Sequence, residues 1–112
     1  MTPLPQVEAV ERADSKVTLR LRISPDLPFF EHHFPELPIV PGVVMLAWAL
    51  RYGAEHLGLH GPFRRLIQLK FQRPIRGGAQ VGLSLSRTAA GELAFEYLTA
   101  HHRYASGRIA FG

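Results

Sequence analysis

Two residues stand out by type and spacing: His33 and Gly42. His33 lies in the run FFEHHFPELPIVPG, residues 29–42, where Pro35, Pro38 and Pro41 forbid a helix interior and favour an extended, irregular path. The run is nevertheless rich in apolar residues: Phe29, Phe30, Phe34, Leu37, Ile39 and Val40. A stiff apolar loop with adjacent histidines is unusual, because loops that are not simply polar tend to be packed and functional. Gly42 comes nine residues after His33 and opens the apolar stretch VVMLAWALRYGAEHL. The first N–H groups of a helix have no partner within it, and the helix dipole makes that end partly positive. Such an end polarises a carbonyl oxygen, and glycine has no side chain to obstruct the approach. A neutral imidazole nearby can take a proton from the carbon beside that carbonyl. The chemistry within reach is therefore proton abstraction α to a thioester. A plainer account fits the same residues: His32 and His33 as packed or capping side chains, and Gly42 as an ordinary helix-start glycine.

These residues need elements to hold them. Residues 1–14 are polar and proline-containing and read as a loosely held start. From Val17, apolar Val17, Leu19, Leu21 and Ile23 alternate with Thr18, Arg20, Arg22 and Ser24, the pattern of a half-buried strand. Pro25 and Pro28 end it. Residues 43–57 read as a helix whose first two turns are apolar all round, hence buried on every side, stopped by Gly58 and Gly61-Pro62. Four strands follow. Ile67, Leu69 and Phe71 share one face of the first; Val81, Leu83 and Leu85 of the second; Leu93, Phe95 and Tyr97 of the third; and Ala105, Gly107, Ile109 and Phe111 of the last. Gly77-Gly78 and Ala90-Gly91 mark turns. One buried helix and an antiparallel sheet pack most simply if the sheet wraps the helix, an α+β hotdog-like architecture in one domain over residues 1–112.

Composition narrows the function. At 112 residues, 46% hydrophobic and 20% charged, the chain has the balance of a soluble globular protein. With no cysteine, disulfides, thiolate metal sites and a cysteine nucleophile are excluded, and the cytoplasm is the default compartment. The histidines fall in separate regions without carboxylates at ligand spacing, so neither a metal nor another cofactor is expected. The formal net charge of +4 comes from scattered basic residues, mostly arginine, which does not single out nucleic acid. The N-terminus lacks the pattern of a secretory signal. The longest apolar run, Val43 to Leu50, is too short to span a bilayer, which needs about 20 residues.

The text His33-Phe34-Pro35-x-x-Pro38-x-x-Pro41-Gly42-Val43 resembles the signature of the 3-hydroxyacyl-(acyl carrier protein) dehydratases of fatty-acid synthesis. Downstream, Lys70-Phe71-x-Arg73-Pro74-Ile75-x-x-Gly78 is similar to that family's strand and turn after the helix. The helix text around Trp48 most resembles the dehydratase-like proteins of aryl-polyene pigment clusters. The resemblance implies a hotdog fold with active sites at an interface between two chains, in a homodimer, a higher hotdog oligomer or a heteromer. It implies His33 as the catalytic base and Gly42 as the backbone donor to the thioester carbonyl. It also implies that His32, Phe34, Pro41, Val43 and Trp48 surround the substrate, a 3-hydroxyacyl chain on the phosphopantetheine arm of an acyl carrier protein.

One departure stands out. The family carries a Glu or Asp four residues after the valine that follows Pro-Gly, and here that position is Ala47. Dehydration expels hydroxide, a poor leaving group that must be protonated as it departs, and alanine has no proton to give. Glu55 lies two helical turns further on, about 12 Å along the axis. Glu36, Glu31 and an imidazolium at His32 are the other acids in the neighbourhood. Three functions remain open: a dehydratase-like lyase with acid assistance from another group or water; a thioester-binding or helper subunit that lends His33 to a composite site; and a hotdog thioesterase, which would have to activate water without the usual carboxylate.

Overall fold

The computed structural model describes residues 3–32 and 38–112, with Glu31 and His32 described by their backbone alone. The described chain runs β1 (Gln6–Ala13), β2 (Lys16–Arg22), α1 (Phe29–His32), α2 (Gly42–Leu57), β3 (Phe63–Phe71), β4 (Gln80–Arg87), β5 (Leu93–Leu98) and β6 (Arg103–Phe111). The strands form one antiparallel sheet in the order β1-β2-β4-β5-β6-β3. Alternation builds it: Val17, Leu19 and Leu21 on β2, Val81, Leu83 and Leu85 on β4, Leu93, Phe95 and Tyr97 on β5, and Ala105 and Ile109 on β6 are buried. They enclose one stripe of α2, formed by Met45, Trp48, Ala49, Tyr52 and Gly53. This is the hotdog arrangement, a sheet wrapped on a helix.

Four local readings change. Residues 6–13 are not loose but form edge strand β1, joined to β2 by a two-residue turn at Asp14-Ser15 in which Asp14 adopts φ 51°. Arg12 fastens this strand to the end of α2, with Nη1 donating to the His56 carbonyl at 3.3 Å and Nη2 lying 3.0 Å from His56 Nδ1. Within 29–42, residues Phe29–His32 make one helical turn ahead of the first proline of the run. The start of α2 is not buried on every side, since Val43 is 74% exposed. Finally, β3 begins at Phe63 and is bulged. Gln68 has φ 50°, and the register shifts between Ile67 and Lys70. A bulge inserts one residue and reverses the alternation beyond it. Leu66, paired with buried Ile109, therefore shares the inner face with Phe71, paired with buried Ala105, while Ile67 pairs with Arg108.

Candidate active site at the start of helix α2

The start of α2 is placed by backbone bonds. Val40 N–H donates to Ile75 O at 2.8 Å, Gly77 N–H donates to Pro38 O at 3.1 Å, and Ile39 bridges Arg76. Pro41 is the N-cap, with φ −61° and ψ 145°. Its carbonyl accepts from Val44 N–H at 3.0 Å and Met45 N–H at 3.2 Å. Among the described residues no acceptor meets the N–H of Gly42 or Val43. These are the donors that a helix start offers to an anion or a polarised carbonyl.

A groove of about 340 Å³ opens at this point, lined by Ile39, Val40, Gly42, Met45, Phe71, Gln72, Arg73 and Pro74. Phe71 is its aromatic wall. The ring leans on Gly42 so closely that a Cβ there would stand 2.8 Å from Phe71 Cζ, yet Phe71 is 52% exposed. Behind the groove, the buried Tyr97 hydroxyl donates to the Met45 carbonyl at 2.7 Å and ties the first turn of α2 to β5. Burial pushes the Tyr97 phenol well above its ordinary range, with Tyr52 adding to the effect. The Tyr97 proton is thus committed to the Met45 carbonyl inside the core, away from the groove at Gly42. A larger groove, about 460 Å³, runs over β1, β2 and β4 past Thr18, Arg20 and Ser84, and does not include Gly42.

The structure separates the residues singled out in the sequence. Gly42 and Pro41 form the helix start and its cap. Val43 and Ala47 lie one turn apart, in line with exposed Arg51, on the face that α2 turns away from its own sheet. Trp48 is fully buried; its indole N–H donates to Pro3 O at 2.8 Å and its ring lies 6.1 Å from that of Phe29, so it belongs to the core and not to the groove at Gly42. His33, Phe34 and Glu36 lie outside the described residues, as does the side chain of His32. Glu55 is exposed on α2, and His101 and His102 are exposed at the β5–β6 turn. Arg73 reaches the groove, whereas Arg76 takes part in the bridge to Ile39. Among the described residues no three His, Asp or Glu side chains gather as metal ligands. Sequence reasoning gave Phe71 and Tyr97 no site role, because each reads as one more inward residue of an alternating strand.

A sheet wrapped on one helix defines the class as hotdog, and at the start of that helix an apolar groove meets two N–H groups that have no acceptor among the described residues. Residues 9–108 match the family model described as ApeI-like: ApeI dehydratase, and the chain belongs to that family. Among solved structures it resembles a chain of "The Dehydratase Heterocomplex ApeI:P from Xenorhabdus doucetiae", with a TM-score of 0.86, 26% identity and 96% of each chain covered. It also resembles an uncharacterized protein from Erwinia carotovora subsp. atroseptica, with a TM-score of 0.77, 30% identity, and 96% of this chain and 94% of that one covered. A 3-hydroxyacyl-[acyl-carrier-protein] dehydratase FabZ of Oceanobacillus iheyensis is 34% identical over 77 residues, 62% of this chain and 55% of the relative. That of Rhizorhabdus wittichii is 33% identical over 95 residues, 75% of this chain and 60% of the relative. The chain thus spans little more than half the length of these curated relatives.

Proposed function

We propose that this protein binds 3-hydroxyacyl thioesters carried on an acyl carrier protein and acts on them as a dehydratase-type lyase. The observation that carries the reading is Gly42: its N–H, which meets no acceptor among the described residues, opens α2 on an apolar groove, in a chain of a dehydratase family. The thioester carbonyl accepts from Gly42 N–H, which stabilises negative charge as a proton leaves C2. His33 takes that proton. Hydroxide leaves C3 and becomes water by taking a proton, either the one His33 has just accepted or one from solvent, in which case His33 gives its own to solvent; the product is a trans-2-enoyl thioester. His32, Phe34, Pro41 and Val43 border the acyl chain. Fatty-acid or aryl-polyene synthesis is the setting, and the cytoplasm the compartment.

A second reading is favoured by Ala47. Where the family carries its acid, alanine stands on the face of α2 turned away from its own sheet. The chain would then be a helper that lends His33 and Gly42 to a site whose carboxylate comes from a paired hotdog chain. The dehydratase heterocomplex to which the chain is similar makes such pairing a natural arrangement.

Mass spectrometry of a 3-hydroxyacyl carrier protein incubated with the purified chain decides between them. Loss of one water that disappears in His33→Ala is expected of a lyase that works alone. An intact thioester that Ala47→Glu converts, with a gain of orders of magnitude, is expected of the helper. Water loss that survives His33→Ala would sink the assignment of the base, and the absence of both turnover and thioester binding would sink the reading as a whole.

A further inference from the structure

Tyr97 is fully buried, and its hydroxyl makes a bond that packing alone does not require. Phe95, two residues earlier on β5, is also buried, with its ring centre 6.3 Å from that of Tyr97, so a plain phenyl ring suits this part of the core. A phenol there must find a partner for its O–H. The partner is the Met45 carbonyl, at 2.7 Å. That oxygen lies inside α2, where the N–H four residues on, that of Ala49, already donates to it. Tyr97 is thus a second donor to an acceptor that the helix satisfies by itself, which the two lone pairs of a carbonyl allow.

Helical hydrogen bonds join peptide groups into rows, each N–H donating to the carbonyl four residues back. Met45 C=O shares its peptide with Leu46 N–H, which donates to Gly42 C=O, and Gly42 C=O shares its peptide with Val43 N–H. Val43 N–H heads this row and meets no acceptor among the described residues. Gly42 N–H heads a different row, because its peptide carbonyl, Pro41 O, accepts from Val44 and Met45 N–H. Bonded peptides polarise one another, by about 10–30% per bond. We propose, on the reading that this helix start receives a thioester carbonyl, that Val43 N–H is a second donor to its oxygen beside Gly42 N–H, and that Tyr97 is a positioning residue that strengthens this donor from the core. The phenol keeps its proton and touches no substrate. By donating, it draws electron density toward Met45 O, which leaves Leu46 N–H, and in turn Val43 N–H, more positive. The gain is largest against the negative charge that develops on the thioester oxygen as the proton leaves C2.

Tyr97→Phe tests the row in two arms, the first without substrate. In amide NMR spectra of the ligand-free chain, the Leu46 and Val43 protons should move upfield while the Gly42 proton stays. The second arm is turnover of a 3-hydroxyacyl carrier protein, measured in an Ala47→Glu background if the natural chain binds without turning over. An oxyanion donor is worth about 10²–10³-fold, so losing about 10–30% of its strength should lower kcat by about two- to eightfold. KM should not change, as befits an interaction strengthened in the transition state. The infrared carbonyl stretch of a bound, ¹³C-labelled acyl pantetheine thioester without the 3-hydroxyl should move to higher frequency. A Val43 proton that stays in place, one that moves no more than that of Gly42, or a KM that rises at constant kcat overturns the proposal. Shifted Leu46 and Val43 protons in a chain that binds no thioester would instead overturn the reading of the helix start as a thioester site, and the role of Val43 with it. If Tyr97→Phe does not fold, 3-fluorotyrosine at position 97 serves: its hydroxyl is more acidic and a stronger donor, so each change should reverse in sign.

Discussion

Gly42→Ala tests how the helix start and its aromatic wall work together. The added Cβ would stand 2.8 Å from Phe71 Cζ and 3.3 Å from Cε1 and Cε2, inside the 3.5–4.0 Å at which carbon atoms rest. In a closed core such overpacking costs about 1–3 kcal/mol. Here the obstructing atoms are the far end of a half-exposed side chain, which can swing outward without moving backbone. Alanine also suits a helix better than glycine, by up to about 1 kcal/mol. The two effects offset, and stability should stay within about 1 kcal/mol of the natural chain. Ligand binding should not. The new methyl and the displaced ring both crowd the line of approach to Gly42 N–H, and losing an oxyanion donor outright costs about 10²–10³-fold in turnover. That range is the ceiling for this variant. The assay is paired: urea unfolding for stability, and affinity for a 3-hydroxyacyl pantetheine thioester for the site, on Gly42→Ala, Phe71→Ala and the double variant. Contacting residues should show coupling, the double variant regaining part of the loss that Gly42→Ala causes alone. Natural affinity in Gly42→Ala would refute the use of that N–H. Stability lowered by more than about 3 kcal/mol would refute a ring that is free to move.

Gly53→Ala, in the same helix, should have the opposite balance: its Cβ would lie 2.5 Å and 3.0 Å from the two terminal carbons of Leu93, which is fully buried and cannot retreat. A net loss of about 1 kcal/mol or more is expected in urea unfolding, and a gain would refute the close seating of α2 on β5. Tyr97 should make the protein sensitive to alkali. Below pH 10.0 the phenol is protonated in both states and contributes no pH dependence; above it the unfolded chain releases the proton first, so stability falls by about 1.4 kcal/mol per pH unit until the raised native value is reached. Tyr97→Phe should lose about 1 kcal/mol at neutral pH and remove that component of the alkaline slope, and an unchanged slope in denaturant melts at stepped pH would refute the burial of the hydroxyl.

Strands β2, β4, β5 and β6 were legible because each buries one face against the helix, and a half-buried strand writes that burial as alternation. Strand β1 was not, because seven of its eight residues are exposed, so no face is selected to be apolar. Its turn, Asp14-Ser15, also lacks the glycine that usually announces a two-residue hairpin. The phase of β3 was misread at Gln68, where a left-handed residue without a glycine's signature inserts the bulge. At the site, the N–H groups that meet no acceptor among the described residues followed from Pro41-Gly42 at the head of an apolar helix, a backbone property that needs only local order. The ring of Phe71 on Gly42 did not, because it joins residues 29 positions apart across two elements. The apolar start of α2 is the most informative misreading. Val43 and Ala47 looked like residues that the sheet would enclose on every side, yet the sheet leaves this face of the helix open.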